Sequence, residues 1–391
     1  MKWLFVSLAL VCLAGVIAVG AIRFGKTNDI GDYSPPDGAL VTYFPAPQED
    51  RDLPLVVSSS IEAGFMRPFL LAFQRSNPNI SIAYIQSRNS ALLSRALAAC
   101  RARERTADIY LTSSSDHLVR LANENCADTL PDWIGRAAPA QAAWRNQVIA
   151  FTVEPAAFVF SRQGGNPARP LPLNHIQLLD WLRALPSGED QLGTYDIAAS
   201  ADGYDLAASD SRQAALYGRL LESLGRADVR LYCCSNVMVD AVDRGEIRFA
   251  YNVQLSYAYA AQRAGSRIEV VLPNDYQALQ TLSFMVPKRA RDRAGALKLA
   301  EFLVSGEARG IARDDLAPPG MPKNAAVARA SQLLQQASVT PVLLSLQDSA
   351  RRRHLIREWR EAIDPGLRRP LPGAGQGPDG FPARVPARAG Q

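Results

Sequence analysis

The sequence predicts an α/β protein of two lobes, each a mainly parallel sheet flanked by helices, with an additional C-terminal helix. Three observations carry that prediction. Short apolar runs alternate with segments of helical spacing, the order of βαβ units. Three successive runs end in Ser- and Thr-rich loops at a helix start, and the same order recurs in the second half of the chain.

The composition agrees with such a fold. Of 391 residues 48% are hydrophobic and 21% charged, as in folded globular chains. At roughly 100–200 residues per domain this length allows two or three domains and a large core without disulfide staples. Lys and Arg exceed Asp and Glu by five, and residues 351–391 alone, with nine Arg against four acidic residues, carry that excess. The body is therefore neutral, which argues against a nucleic-acid partner, since phosphate neutralisation needs a clustered basic face.

The N-terminal residues 1–22 combine Met1-Lys2 with an apolar run from Trp3 to Ile22, in which Val19-Gly20-Ala21 are small residues suited to a signal peptidase. The run reads as an export signal, and its 20 or so residues are also about what an uncleaved inner-membrane anchor needs. Cys12 follows Val11 rather than a small residue, which disfavours lipidation. Either way the rest of the chain is expected in the periplasm, where thiols pair. Residues 23–52, rich in Pro, Gly and Asp, read as a linker.

The first lobe is expected over residues 53–152. Leu55-Val56-Val57 is a buried-strand run, Ser58-Ser59-Ser60 a capping loop, and Phe65, Phe69 and Phe73 recur every four residues as on one helix face. Residues 80–85 give a second strand, followed by the loop 87–90 and a helix through Leu92, Leu93 and Leu97. Residues 108–111 give a third strand, then loop 112–115 and helix 117–125. Cys100 and Cys126 each end a helical segment of this lobe, so a Cys100–Cys126 disulfide is expected.

The second lobe is expected over 153–262. An extended apolar stretch, 148–160, leads into helix 175–185, strand 195–199, the polar loop 200–204, a long helix over 206–224, helix 240–245 and strand 248–252. Cys233 and Cys234 are adjacent, and the sequence leaves open a vicinal disulfide, a metal site, or packing as small hydrophobes. Residues 263–345, with strands 268–272 and 282–286 and helix 294–304, return to the first lobe, so the chain crosses between lobes at least twice. Residues 346–364 form an amphipathic helix with five arginines off its apolar face, and 365–391 read as a disordered tail.

Enzyme signatures are scarce. His117, His175 and His354 have no partner at metal-ligand spacing, and no phosphate-cradling Gly motif, nucleophile elbow or Cys–His pair is present. Neither catalysis nor a cofactor is expected. Polar loops at the C-terminal ends of strands are instead where open α/β sheets bind ligands, and backbone N–H groups at helix starts hold oxyanions.

Four motifs in order, FLLAFQRSNPNI (69–80), ADIYLTSS (107–114), AVDRGEIRFAYN (241–252) and ALKLAEFLVSGEARGIA (296–312), resemble the periplasmic solute-binding proteins of ABC importers. The resemblance is to the type II, ferric-iron-like branch and covers about residues 53–315. The WREAI-ending C-terminal helix resembles that of the phosphoglycerate-transport regulatory member, which signals to a sensor kinase. The resemblance implies a two-lobed periplasmic-binding-protein-like type II fold that closes on a small, anionic solute as a monomer, with an ABC permease or a sensor kinase in the inner membrane as partner. It maps the ligand loops onto Ser58, Ser59 and Ser60; Arg88, Asn89 and Ser90; Thr112, Ser113 and Ser114; Ser200, Asp202 and Tyr204; Ser235 and Asn236; and Tyr251 and Asn252. Arg88 is a candidate clamp for a carboxylate or phosphate. Ferric-iron binders use adjacent tyrosines, whereas Tyr257 and Tyr259 are separated by Ala258. They are weak metal candidates, sharing a face on a strand but lying about 200° apart on a helix.

Overall fold

The computed structural model describes Pro35 and residues 38–48, 53–162, 170–185, 192–227 and 229–363. The apolar run 3–22 and the tail 365–391 lie outside the described residues. No helix among those described is long and apolar enough to cross a membrane.

After strand β1 (Leu40–Phe44) the first lobe repeats strand, loop and helix three times: β2 (Leu55–Ser59) and α1 (Ala63–Ser76), β3 (Ile82–Gln86) and α2 (Asn89–Ala102), β4 (Ile109–Thr112) and α3 (Ser115–Asn123). Helix α4 (Asp132–Ala137) and the short β5 (Ala143–Trp144) lead into β6 (Val148–Ser161). The second lobe follows with α5 (His175–Arg183), β7 (Leu192–Tyr195), α6 (Ala201–Asp210), α7 (Ala214–Arg226), β8 (Arg230–Tyr232), α8 (Ser235–Asp243), β9 (Phe249–Gln254), α9 (Leu255–Arg263) and β10 (Ile268–Val271). The return comprises β11 (Leu279–Met285), α10 (Arg293–Leu303), α11 (Gly306–Leu316) and α12 (Lys323–Leu334), and α13 (Ser349–Ile363) closes the described chain.

The strands form one sheet in the order β1-β3-β2-β4-β11-β6-β9-β7-β8, with β5 and β10 also on β6. Pairing is parallel for β2 with β3 and β4, and for β7 with β8 and β9. The strands that join the lobes run antiparallel on β6, which both lobes share. Its residues 149–155 pair with β11 on the first-lobe side, and its residues 156–161 pair with β9 and β10 on the second. Fourteen residues at about 3.3 Å each carry it through both lobes.

Each lobe has its own core. Phe69, Phe73, Tyr84 and Phe284 are fully buried in the first lobe, and Phe158, Tyr195, Tyr204 and Phe249 in the second. The recurring Phe69 and Phe73 of α1 meet Phe151 and Phe302 edge-on at 5.9 and 6.0 Å, which seats α10 back on the first lobe. The chain then crosses a third time. Residues 341–347 pack on α3, where Gln347 donates to the Asp116 carbonyl at 2.5 Å, and α13 packs on α7, burying Leu355, Trp359 and Ile363 in the second-lobe core. A Cβ at Gly225 of α7 would fall on the Ala362 carbonyl, so glycine permits this helix crossing.

Several sequence expectations are corrected. The linker contains β1, paired antiparallel with β3; its β-branched and aromatic Val41, Thr42, Tyr43 and Phe44 suit a strand, and the flanking Pro and Gly obscured it. The strand expected at 195–199 ends at Tyr195, because the Asp196 carboxylate accepts from the Ala198 and Ala199 amides and turns the chain. The helix expected over 206–224 is two helices, broken where Ser211 donates to the Ala208 carbonyl. The C-terminal helix starts at Ser349 rather than 346, after a 3₁₀ segment.

Two disulfides are present. Cys100–Cys126 joins the end of α2 to the chain just after α3, with Cα atoms 5.7 Å apart, as expected. Of the three readings open for Cys233 and Cys234, the structure has the vicinal disulfide.

Candidate functional site

A cavity of about 380 Å³ opens between the lobes. Its wall is made largely of helix starts. The N-cap residues of five helices line it: Glu62 of α1, Arg88 of α2, Ser200 of α6, Cys234 of α8 and Gln254 of α9. Only Ser200 caps its own helix, accepting from the Gly203 amide at 3.2 Å. The other four make no side-chain cap bond, so first-turn N–H groups are left for other acceptors. Two are taken by cavity residues, Ala63 N–H by Gln86 at 3.0 Å and Ser256 N–H by Glu154 at 2.8 Å.

The lobes are latched beside this cavity. Asp202 at the start of α6 accepts from Ser113 at 2.6 Å, Gln280 at 3.0 Å and Asn89 at 3.3 Å, while Asp205 one turn on accepts from Ser114 at 2.9 Å. Gly203 brings α6 close, since a Cβ there would clash with Tyr195. At its far end Asp210 is fully buried and accepts from Tyr251 at 2.9 Å and Asn252 at 2.7 Å. Helix α6 is thus fixed at both ends.

Glu62, Glu154 and Asp202 line the cavity together with Arg88. Burial pushes the Glu154 carboxyl up to about 8, against the lowering effect of the Ser256 bonds, so it is largely uncharged near neutrality. Burial also raises Glu62, partly offset by a hydrogen bond from Tyr257, whose own hydroxyl burial holds well above the usual tyrosine range. Asp202 has three donors. Arg88 is exposed, and its side chain makes no hydrogen bond or ion pair among the described residues. The cavity wall therefore presents a guanidinium and helix-start N–H groups, with its carboxyl groups protonated or already supplied with donors.

Of the residues picked out in the sequence, the cavity is lined by Ser60, Arg88, Asn89, Ser90, Ser113, Ser200, Asp202, Ser235 and Tyr257. The others lie elsewhere. Ser58 is buried in β2; Ser59 accepts from Tyr84 at 2.7 Å and the Ile61 amide at 2.9 Å; and Thr112 bridges Ser60 at 2.9 Å and Asn89 at 2.5 Å from behind the wall. Ser114 is on the latch. Tyr204 is buried with the Arg352 guanidinium 4.1 Å above its ring, and Asn236 is exposed outside the lining. Tyr251 and Asn252 hold Asp210. Tyr257 and Tyr259 both fall on helix α9, where Tyr259 is buried in the core away from the cavity, so the two do not converge. No cluster of His, Cys, Asp and Glu suited to a metal ion occurs among the described residues.

Sequence reasoning missed Glu62, Gln86, Glu154, Tyr195, Gln254 and the disulfide wall. Glu154 carried a signal, being the single charged residue within the apolar stretch 148–160.

Two lobes on a shared strand, with helix starts gathered on the cleft between them, define a ligand-binding protein of the type II periplasmic-binding fold, a class that binds without catalysis. Residues 53–315 match the model for bacterial extracellular solute-binding proteins, and the chain belongs to that family. No curated protein matches the chain. Among solved structures, a substrate-binding protein of an ABC transporter from Agrobacterium tumefaciens is 28% identical with a TM-score of 0.73, over 84% of this chain and all of that one. Iron-bound HitA from Pseudomonas aeruginosa (16% identical, TM-score 0.60, 80% of this chain and 99% of that one) shares the fold. So does AfuA from Actinobacillus pleuropneumoniae with bound fructose-6-phosphate (14%, 0.59, 79% and 98%).

Proposed function

We infer that this solute-binding protein, exported to the periplasm and acting as a monomer, captures a small oxyanion-bearing solute by lobe closure and delivers it to an ABC permease. The observation that carries this reading is the convergence of five helix N-caps on one cavity. Helix N-termini hold phosphate and carboxylate through uncapped N–H groups and the helix dipole, and Arg88 adds a fork for a planar or tetrahedral oxyanion. AfuA, bound to a sugar phosphate, is a neighbour of the same fold. The ferric-iron reading has less support, because only one of the two tyrosines lines the cavity. A sensor-kinase partner would use the same capture step, and the exposed Arg353, Arg357 and Arg360 of α13 are the observation in its favour. Calorimetric titration with phosphate esters, carboxylates, uncharged sugars and ferric citrate tests the reading. Binding confined to oxyanion-bearing organic solutes is expected, and binding confined to iron or to uncharged sugars would refute it.

A further inference from the structure

Cys233 and Cys234 lie between β8 and the first residue of α8, bonded to each other, and both line the cavity. Neither belongs to any of the apolar cores, although the adjacent Tyr232 packs against the core of its lobe. Cysteine is among the residues most often buried, so a cystine left on a cleft wall turns apolar surface toward whatever fills the cleft. Bonded neighbours cannot swing apart, and the patch is therefore ordered before a solute arrives, which lowers the entropy lost on binding. The first lobe supplies the matching apolar lining in Leu40, Ile61, Phe65 and Leu282. Size points the same way: 380 Å³ is room for about a dozen waters at ~30 Å³ each, several times what a bare tetrahedral oxyanion occupies.

We propose that the Cys233–Cys234 disulfide is a specificity-determining contact, against which the carbon face of the solute packs while its oxyanion sits at the helix starts. The solute class is then an organic oxyanion with an extended C–H surface, such as a sugar or polyol phosphate. This rests on the oxyanion reading above and narrows it. Bare phosphate at the helix starts has no carbon face to pack against the sulfurs.

Calorimetry on the full chain with fructose 6-phosphate, fructose and inorganic phosphate tests the proposal, using wild type and the double variants C233S/C234S and C233A/C234A. An unchanged unfolding midpoint and an intact Cys100–Cys126 bond establish that each variant is folded. Wild type binds fructose 6-phosphate more tightly than phosphate. The serine pair, which replaces the apolar patch with hydroxyls, weakens fructose 6-phosphate about tenfold, or ~1.4 kcal/mol, and leaves phosphate unchanged; the alanine pair falls between. Wild-type affinity for fructose 6-phosphate in the serine pair, or equal losses for both phosphates, overturns the contact. Fructose binding as tightly as its phosphate overturns the oxyanion reading instead, and the serine pair's effect on fructose then decides the contact alone. Failure of fructose 6-phosphate to exceed inorganic phosphate overturns the solute class.

Discussion

The two lobes meet the cleft with different chemistry. From the first come hydroxyl and amide donors, Asn89, Ser113, Ser114 and Gln280; from the second come the α6 carboxylates Asp202 and Asp205 that accept them. The disulfides divide in the same way. Cys100–Cys126 staples the chain beyond α2 and α3 away from the cleft, and Cys233–Cys234 lies on the cleft wall. The first lobe thus resembles a fixed donor surface, while the second carries the helix that latches onto it. Because α6 is held at its far end by Tyr251 and Asn252 on Asp210, residues outside the cavity position the latch.

The largest expected effect separates the lobes by stability. Trp359 is 4% exposed in the second-lobe core, so Trp359→Ala should cost about 3–5 kcal/mol in denaturant unfolding. A change below 1 kcal/mol would make α13 an appendage rather than part of that lobe. Replacing Cys100 and Cys126 together by alanine should cost about 3 kcal/mol, from the loop closed across a separation of 26 residues. Solute affinity should be unchanged, in contrast to replacement of the cleft disulfide.

Glu154 sharpens the comparison at the shared strand. Its carboxyl titrates near 8 when folded, against 4.5 ordinarily, so between these values the folded chain holds a proton that the unfolded chain has released. Its contribution makes stability fall as pH rises through that window. Glu154→Gln removes the fall, and the variant should exceed wild type by up to a few kcal/mol at pH 9 and match it more closely near pH 5. Parallel stability curves from pH 5 to 9 would contradict this. Arg88→Ala should weaken an oxyanion-bearing solute by tens-fold, about 2 kcal/mol, with stability unaffected. Asp202→Ala, the smallest effect, should enlarge the solute-free radius of gyration in X-ray scattering by loosening the latch, and an unchanged radius would remove α6 from that role.

The first-lobe strands, loops and helices were legible because hydroxyls mark each turn and apolar spacing marks each helix. Cavity residues on those loops, Ser60, Asn89 and Ser113, were legible for the same reason, as was Ser200 at the corresponding turn of the second lobe. What local pattern hides is convergence. Glu154 reaches the cleft only because β6 passes through both lobes, and Gln254 because β9 ends at the cleft where α9 begins. Tyr251 and Asn252 resemble ligand residues in sequence, but a buried Asp210 from another helix claims them. Likewise β1 was obscured by the Pro and Gly around it, and its strand character depends on pairing with β3.

The most direct test is to purify the protein from its native cells without added solute, denature it, and identify what is released by mass spectrometry with metal analysis alongside. An organic molecule carrying a phosphate or carboxylate, near one per chain, is the predicted result. Iron, an uncharged sugar or a cationic molecule at that stoichiometry would contradict the account.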